Sequence, residues 1–258
     1  LREYHSHRGI GFPDYKLIVS TYADDTLLYV CEPESNLSPV LSEVVHFGGQ
    51  SGLRVNWEKS LIFPLTSVTS QIQCDFPLRW TLDPVRYLGV QVHTDPRIVI
   101  CENYERALMT LEASVTRWIR LPLSLYGRIA IIQMTVLLRI LFLFVNIPVL
   151  LPRSFFAKLN SLLVRLVWAG GQPWVSWDIL TLPYEKGGLN APDLQTSYRA
   201  AQSSHIHFWL HPVDAPIYAH MERNLTDSSR LADIICKPLV RRYDKFELLN
   251  TLYTHFRD

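Results

Sequence analysis

The sequence predicts an α+β fold in which a mixed β region precedes a helical region. Short β-branched and aromatic runs, separated by turn residues, dominate residues 14–95. From about residue 96 onward, apolar residues recur at helical spacing instead. Hydrophobic residues make up 48% and charged residues 19% of the 258 residues, which is typical of a globular chain with a substantial core.

A β-hairpin is predicted near the start, with Tyr22-Ala23-Asp24-Asp25 at its turn. Apolar runs over 17–21 and 26–30 flank these residues and are typical of strands. Asp suits such a turn because it tolerates the left-handed backbone. Adjacent carboxylates also repel each other, which favours a bound hard cation such as Mg²⁺. Taken alone, this segment leaves a polar turn and a metal site equally open.

One helix interrupts the β region. Ser38 is its predicted N-cap, and an apolar stripe continues through Phe47 to a stop at Gly48-Gly49. A short strand is expected at 61–64. Residues Val85 to Val92 alternate as a further strand, in which Gly89 permits a bulge or a close backbone approach.

Four helices are predicted in the second region. They cover residues 104–118, 125 to about 146, 155–168 and about 193–210. Ile129 to Leu151 is long enough to span a bilayer. Gln133, Arg139 and Asn146 interrupt it, so a core helix is favoured over a membrane one. The tail over 213–258 is more polar and helical at most.

Charge is unevenly distributed although the net charge is only +1. No Asp or Glu occurs between Ala113 and Trp177, whereas Arg outnumbers Lys six to one there. These basic residues are candidates for binding nucleic acid, because arginine suits bidentate phosphate contacts. They are Arg117, Arg120, Arg128, Arg139, Arg153, Lys158 and Arg165.

Aromatic residues interleave with this basic block and could stack on bases. They are Trp118, Tyr126, Trp168, Trp174 and Trp177. For any single residue, core packing or a solvated helix face is the simpler interpretation. For the acid-free block as a whole, nucleic acid is favoured. The four cysteines are scattered without a zinc spacing, which indicates a reducing interior.

Several motifs occur together in one order. Tyr22-Ala23-Asp24-Asp25 in an apolar hairpin resembles the catalytic hairpin of reverse transcriptases. Gly52 to Ser60, with Asn56-x-x-Lys59-Ser60, is similar to the next palm motif of those enzymes, and Arg86 to Val90 is similar to their primer-grip strand. A later series resembles the region after the palm in LINE-type non-LTR retrotransposon polymerases. It comprises Tyr126-Gly127-Arg128-Ile129, Ile147-Pro148, Trp168 and 187–194.

The resemblance implies template-directed transfer of deoxynucleotides by a two-metal mechanism with Mg²⁺. Asp24 and Asp25 would be the metal-binding carboxylates, and Lys59 would neutralise or protonate the leaving pyrophosphate. Tyr22, together with Tyr87, Leu88 and Gly89, would contact the primer. The partners implied are an RNA template, a DNA primer and deoxynucleoside triphosphates, with no membrane and no obligate protein partner.

The implied domains are a partial palm over 1–95, an all-α thumb-like helical region over 96–212 and a tail of unknown role over 213–258. The palm would be an antiparallel sheet with a catalytic hairpin and a packed helix. The fingers, the upstream palm and a third metal-binding Asp are missing from the pattern. We therefore expect a fragment that is inactive alone, found in the nucleus and cytoplasm as a ribonucleoprotein. The alternatives are a non-catalytic nucleic-acid-binding remnant and an unrelated membrane-associated protein.

Overall fold

A computed structural model describes residues 9–11, 16–66, 75–211, 213 and 215–220. The chain divides into two compact units, Leu1–Asp83 and Pro84–Asp258. This division lies twelve residues before the palm boundary expected from the sequence. Most of the predicted tail over 213–258 lies outside the described residues.

The described strands of the first unit are two to four residues long and pair two by two. β1 pairs with β2, and β3 with β4, both antiparallel, whereas β5 pairs with β6 in parallel. The parallel pair differs from the antiparallel sheet that the sequence predicts. The strands are β1 (Ile10–Gly11), β2 (Lys16–Leu17), β3 (Val19–Tyr22), β4 (Asp25–Leu28), β5 (Leu61–Ile62) and β6 (Arg79–Trp80).

Helix α1 (Pro33–Ser51) is longer at both ends than the sequence predicts. It begins five residues before Ser38 because Pro33 occupies the first turn, where its fixed φ suits a helix and no N–H is needed. It passes through Gly48-Gly49 and ends at Gly52, whose φ of 76° and N–H bond to the Gly48 carbonyl form a left-handed cap. Its buried side chains are Leu37, Val40 and Leu41.

The second unit starts with a hairpin and continues as helices. The hairpin strands are β7 (Val85–Tyr87) and β8 (Val90–Val92), paired antiparallel. The helices are α2 (Pro96–Ile100), α3 (Arg106–Trp118), α4 (Leu125–Ile131), α5 (Leu138–Asn146), α6 (Arg153–Val167), α7 (Trp177–Thr181) and α8 (Leu194–Leu210). Residues Cys101–Glu105 and Ile132–Leu137 are π-helical and make α2–α3 and α4–α5 continuous.

The helical predictions are largely confirmed. The helices expected at 125–146, 155–168 and 193–210 are present within two residues. The helix expected from Tyr104 begins earlier, at Pro96, because the Asp95 carboxylate accepts the Arg97 N–H and caps it. Together the described elements form an α+β fold.

In the described part of the second unit the core contains 22 buried residues, and every helix from α3 to α8 contributes to it. Helix α3 packs on α6, and α5 packs on α8. The Tyr104 hydroxyl contacts the Leu143 and Ile147 carbonyls at 3.0 Å each. The Tyr198 hydroxyl donates to the Val149 carbonyl at 2.6 Å. These bonds fix the end of α5 and the chain that follows it.

The continuous helix Leu125–Asn146 is, among the described residues, the one that is long and apolar enough to cross a membrane by length and composition. One of its sides supplies Ile129, Ile132, Val136 and Ile140 to the core at three- to four-residue spacing. A buried side of this kind is what a core helix requires. That the chain does not bind a membrane stays a prediction.

The Gly187-Gly188-Leu189-Asn190 motif has a structural role. Gly187 takes φ 80°, and a Cβ on Gly188 would collide with the Leu182 carbonyl, so only glycine fits at 188. The Asn190 carbonyl accepts a hydrogen bond from Gln133 Nε2 at 2.8 Å. The motif therefore folds the chain closely back before α8.

Candidate active-site hairpin and nucleic-acid interface

The Tyr-Ala-Asp-Asp segment forms the tip of the β3–β4 hairpin. Tyr22 pairs with Asp25 across the strands, which leaves Ala23 and Asp24 as the two turn residues. The residue in the left-handed region is Ala23, with φ 51°, and not an aspartate as the sequence suggested. A side chain with a Cβ is strained in this region. Strain of this kind persists where surrounding structure holds it, often at functional sites.

Both aspartates are exposed, and Tyr22 is 65% exposed. Asp24 lies in the turn and Asp25 is the first residue of β4. Their oxygens are the ligands that Mg²⁺ prefers. In the part of the chain that the structure describes, no group of three or more His, Cys, Asp or Glu side chains could hold a metal. Within these residues the hairpin tip therefore offers a pair of carboxylates and no third ligand of this kind beside them.

The Asn56–Ser60 segment is a self-contained turn. The Asn56 side-chain oxygen accepts the Lys59 N–H at 3.2 Å, and its main-chain carbonyl accepts the Ser60 hydroxyl at 2.8 Å. Asn and Ser therefore build the turn, and Lys59 is left exposed on it. The exposure leaves its ammonium group available to a phosphate ligand.

The segment Val85–Val92 is a hairpin and not the single strand that the sequence predicts. Leu88 has φ 46° and Gly89 has φ 88°, and two successive positive φ values are what a type I′ turn requires. Tyr87 pairs with Val90 beside the turn. The apolar residues lie at positions 85 and 87 before the turn and at 90 and 92 after it, so the alternation changes phase at Leu88-Gly89. A single strand keeps one phase, and this change was therefore a sequence signal of the reversal.

Asn103, which the sequence patterns did not predict as a structural residue, attaches this hairpin to the helices of the second unit. Its Oδ1 accepts the Gln91 N–H, and its Nδ2 donates to the Gln91 and Val99 carbonyls, each at 2.8 Å. Asn103 is buried. The sequence does contain a signal that could have identified Asn103. It is an amide between apolar residues on one helix face, because Val99, Asn103 and Ala107 follow each other at four-residue spacing.

An open groove of about 690 Å³ lies between the β7–β8 hairpin, α3 and α5. Arg86, Arg106 and Arg139 line it, and Glu102 is its acidic lining residue. Glu102 accepts a hydrogen bond from Arg106 at 2.8 Å. The charge of Arg86 and Arg139 therefore remains available to an anion. Arg139 belongs to the acid-free block of the sequence, whereas Arg86 and Arg106 lie outside it and were not predicted to bind nucleic acid.

The predicted basic residues divide into two groups. Six of them are exposed: Arg117, Arg120, Arg139, Arg153, Lys158 and Arg165. Arg128 requires a correction, because it is only 6% exposed. Its guanidinium donates to the Leu121, Leu123 and Leu166 carbonyls at 3.1–3.2 Å. Arg128 therefore joins the loop after α3 to the last turn of α6 and is not a phosphate contact.

The aromatic residues divide in the same way. Trp118, Trp168 and Trp177 are partly buried against the core. Tyr126 is 64% and Trp174 is 88% exposed. Stacking on bases, which the sequence allowed for all five aromatic residues, is thus open chiefly to these two.

Comparison with known proteins adds a family to this geometry. Residues 1–92 match the family described as Reverse transcriptase (RNA-dependent DNA polymerase). The match ends with β8 and therefore contains both hairpins.

The chain is also 23% identical over 212 residues to the "Transposon TX1 uncharacterized 149 kDa protein" of Xenopus laevis. That alignment covers 79% of this chain and 16% of the relative. These two similarities support a reverse transcriptase.

Proposed function

We propose that this chain is part of an RNA-directed DNA polymerase of a LINE-type non-LTR retrotransposon. The observation that carries the proposal is the exposed Tyr-Ala-Asp-Asp tip of a two-stranded hairpin, inside a segment that matches the reverse transcriptase family. The first unit then corresponds to palm elements, and the helices after Pro96 correspond to a thumb. The enzyme works in the nucleus and cytoplasm as a ribonucleoprotein.

The proposed reaction joins a primer 3′-oxygen to the α-phosphorus of a deoxynucleoside triphosphate and releases pyrophosphate. Bound Mg²⁺ supplies charge stabilisation to the attacking and leaving oxygens. Asp24 and Asp25 hold the metal, because they place two carboxylates at an exposed tip. Tyr22, 65% exposed, contacts the primer terminus. Lys59 neutralises or protonates the leaving pyrophosphate.

The helical unit is proposed to hold the template–primer duplex. Its six exposed basic residues and the groove arginines Arg86 and Arg139 offer charge to phosphates. Tyr87, Leu88 and Gly89 contact the primer strand at the β7–β8 turn. The Leu88-Gly89 turn suits this role because glycine permits close approach of a ligand to the backbone.

A second candidate is nucleic-acid binding without chemistry. It is favoured by the absence of a third metal-ligating side chain beside Asp24 and Asp25 in the described residues. On either candidate, we propose that the 258-residue chain does not extend a primer alone.

Primer extension tests this proposal. The purified chain is incubated with an RNA template, a labelled DNA primer, deoxynucleotides and Mg²⁺, beside the Asp24→Ala variant. We expect the hybrid to bind with a log–log salt slope of about −0.9 per phosphate contact. We expect no extension by either protein. Extension above the variant would contradict inactivity, and affinity insensitive to salt would contradict a phosphate interface.

A second experiment tests the carboxylates without requiring turnover. Fe²⁺ replaces Mg²⁺, and ascorbate and peroxide then generate hydroxyl radicals that cut the backbone near the bound ion. We expect cleavage near Tyr22–Asp25 and its loss in the Asp24→Asn/Asp25→Asn double variant. Asp83→Asn is the matched control, because Asp83 is another exposed carboxylate of the same unit. Equal cleavage in all three proteins would rule out the proposed metal site.

A further inference from the structure

Trp174 is the most exposed tryptophan among the described residues, with 88% of its surface accessible. Its described ring contact is with Trp168, at a centroid distance of 6.3 Å and an interplanar angle of 33°. Trp168 itself packs against the core. One ring is therefore anchored and carries a second ring whose surface is largely free. An aromatic ring held at the surface with a free face is a platform on which a base can stack.

The loop that carries Trp174 is fixed to the end of α6. The Gly170 N–H donates to the Arg165 carbonyl at 2.9 Å, and the Gly171 N–H donates to the Trp168 carbonyl at 2.8 Å. Ala169 and Gly170 take φ 53° and 78°, which reverses the chain directly after the helix. Pro173 precedes Trp174 and restricts the backbone further. The position of the ring is thus partly preorganised.

The charge around this end of α6 is positive. Arg165 lies three residues before Trp168 and shares its side of the helix. Arg128 binds the Leu166 carbonyl at 3.2 Å, and all its described hydrogen-bond partners are carbonyls, so no carboxylate neutralises it within the described residues. Arg120 lies next to Leu121, which also binds Arg128. The nearest acid after this block in the chain is Asp178, on α7.

We propose that Trp174, supported by Trp168, stacks on an unpaired base of a single-stranded nucleic acid whose phosphates contact Arg165 and Arg120. This inference rests on the proposed function, and it adds that the bound nucleic acid has an unpaired segment at this site. A single strand meets both requirements of the surface, because its bases have free faces for the indole and its phosphates match the cations. An apolar protein surface would cover the ring but leave the arginines without counter-charge.

Fluorescence anisotropy with labelled oligonucleotides tests the site. The probes are a 12-nucleotide single-stranded RNA without self-complementarity and a 12-base-pair RNA–DNA hybrid of the same sequence. Trp174→Ala is expected to weaken binding of the single strand about 5- to 150-fold, since stacking on one base accounts for an effect of this size. Trp174→Phe keeps an aromatic face and is expected to retain most of the affinity. Binding of the hybrid is expected to change less than about twofold, because its bases are already stacked.

Tyr184→Ala is the matched control, since Tyr184 is also an exposed aromatic residue, 58% accessible, but lies beside Glu185. It is expected to bind both probes as the parent does. Unchanged single-strand affinity in Trp174→Ala would overturn the site while leaving the proposed function intact. Equal losses for both probes would overturn the assignment to unpaired bases. A parent chain that binds neither probe would refute the site and the nucleic-acid function together.

Self-association is measured in parallel by light scattering. If the parent were a dimer and Trp174→Ala a monomer, the ring would be a protein contact, and the stacking site would be overturned. We expect both proteins to have the same mass at the concentrations used for binding.

Discussion

The two units of this chain differ in how much apolar surface they bury. Among described residues, the first unit buries the hydrophobic side chains Leu17, Leu37, Val40 and Leu41, whereas the second has a continuous core of 22 residues. The described strands of the first unit also form only two-stranded pairs, which are marginally stable in water by themselves. The candidate active-site tip thus lies in the unit with the smaller described core, and the candidate nucleic-acid interface lies on the well-packed helices.

The candidate active-site tip and the candidate nucleic-acid interface therefore depend on different kinds of structural support. The helices can fix the positions of exposed arginines because their opposite sides are anchored in a core. The Asp24–Asp25 tip is positioned by four residue pairs of one hairpin. We therefore expect the first unit to unfold at a lower denaturant concentration than the second.

The largest expected effect follows from removing a central side chain of the helical core. Phe144 is fully buried and contacts the rings of Tyr104 and Tyr198. Phe144→Ala is expected to lower the free energy of unfolding of the second unit by about 3–5 kcal/mol. Urea unfolding monitored by tryptophan fluorescence measures it. Leu41→Ala in α1 serves as control and should shift only the first unit's transition. Equal shifts of one common transition would contradict two separately stable units.

The next effect concerns the buried guanidinium. Arg128→Met keeps a long side chain but leaves three main-chain carbonyls without their donor, so we expect a loss of about 2–3 kcal/mol in the same transition. Arg139→Met, on the same continuous helix but exposed, should cost less than about 0.5 kcal/mol. For affinity the order of the two variants should be the opposite. Arg139→Met should bind the RNA–DNA hybrid more weakly than the parent and lose more affinity than Arg128→Met. Similar stability losses in both variants would show that Arg128 is not structural.

Alkaline pH should destabilise the helical unit through its buried tyrosines. Burial raises the pKa of Tyr198 to about 12 and raises the pKa of Tyr104 further still. An unfolded tyrosine ionises near pH 10, so above that pH the unfolded state releases protons that the folded state retains. Stability is therefore full below about pH 10 and falls by up to about 1.4 kcal/mol per pH unit for each of these tyrosines. For Tyr198 the fall ends near pH 12.

Urea unfolding between pH 8 and 11.5 measures this slope. Tyr198→Phe removes one of the two groups and should reduce the slope by about half. Tyr126→Phe is the control, because Tyr126 is exposed and should leave the slope unchanged. A slope that survives both Tyr104→Phe and Tyr198→Phe would exclude these groups as its cause.

The smallest effect tests backbone strain at the hairpin tip. Ala23→Gly removes the Cβ from a residue with φ 51° and should stabilise the first unit by about 0.5–1 kcal/mol. Ala169→Gly, at φ 53° after α6, should give a similar gain in the second unit alone. Both are read from the two unfolding transitions. A loss of stability in Ala23→Gly would show that Ala23 does not hold the left-handed backbone.

Prediction from sequence succeeded where periodicity and capping act locally. Helix α8 begins one residue after the Asp193 N-cap, as its pattern indicates, and the hairpin around Asp24 pairs as expected. It failed where several interpretations fit one pattern. Pro33 started α1 earlier than Ser38 because a proline at the first turn and a polar N-cap are both start signals. In Val85–Val92 the sequence interpretation allowed a bulge at Gly89, whereas the change of apolar phase at Leu88-Gly89 marks a turn between two strands.

By itself, the sequence determined the fold class, the carboxylate pair at a hairpin tip and the acid-free basic block, since these depend on residue type and spacing. Tertiary structure alone decided which basic residue is internal. Arg128 and Arg165 look alike in the sequence, but in the described residues Arg128 binds three carbonyls, two in the loop after α3 and one in the last turn of α6. It also decided that Asn103 joins the β7–β8 hairpin to the helices. Such roles depend on partners far apart in the chain, and local patterns do not encode them.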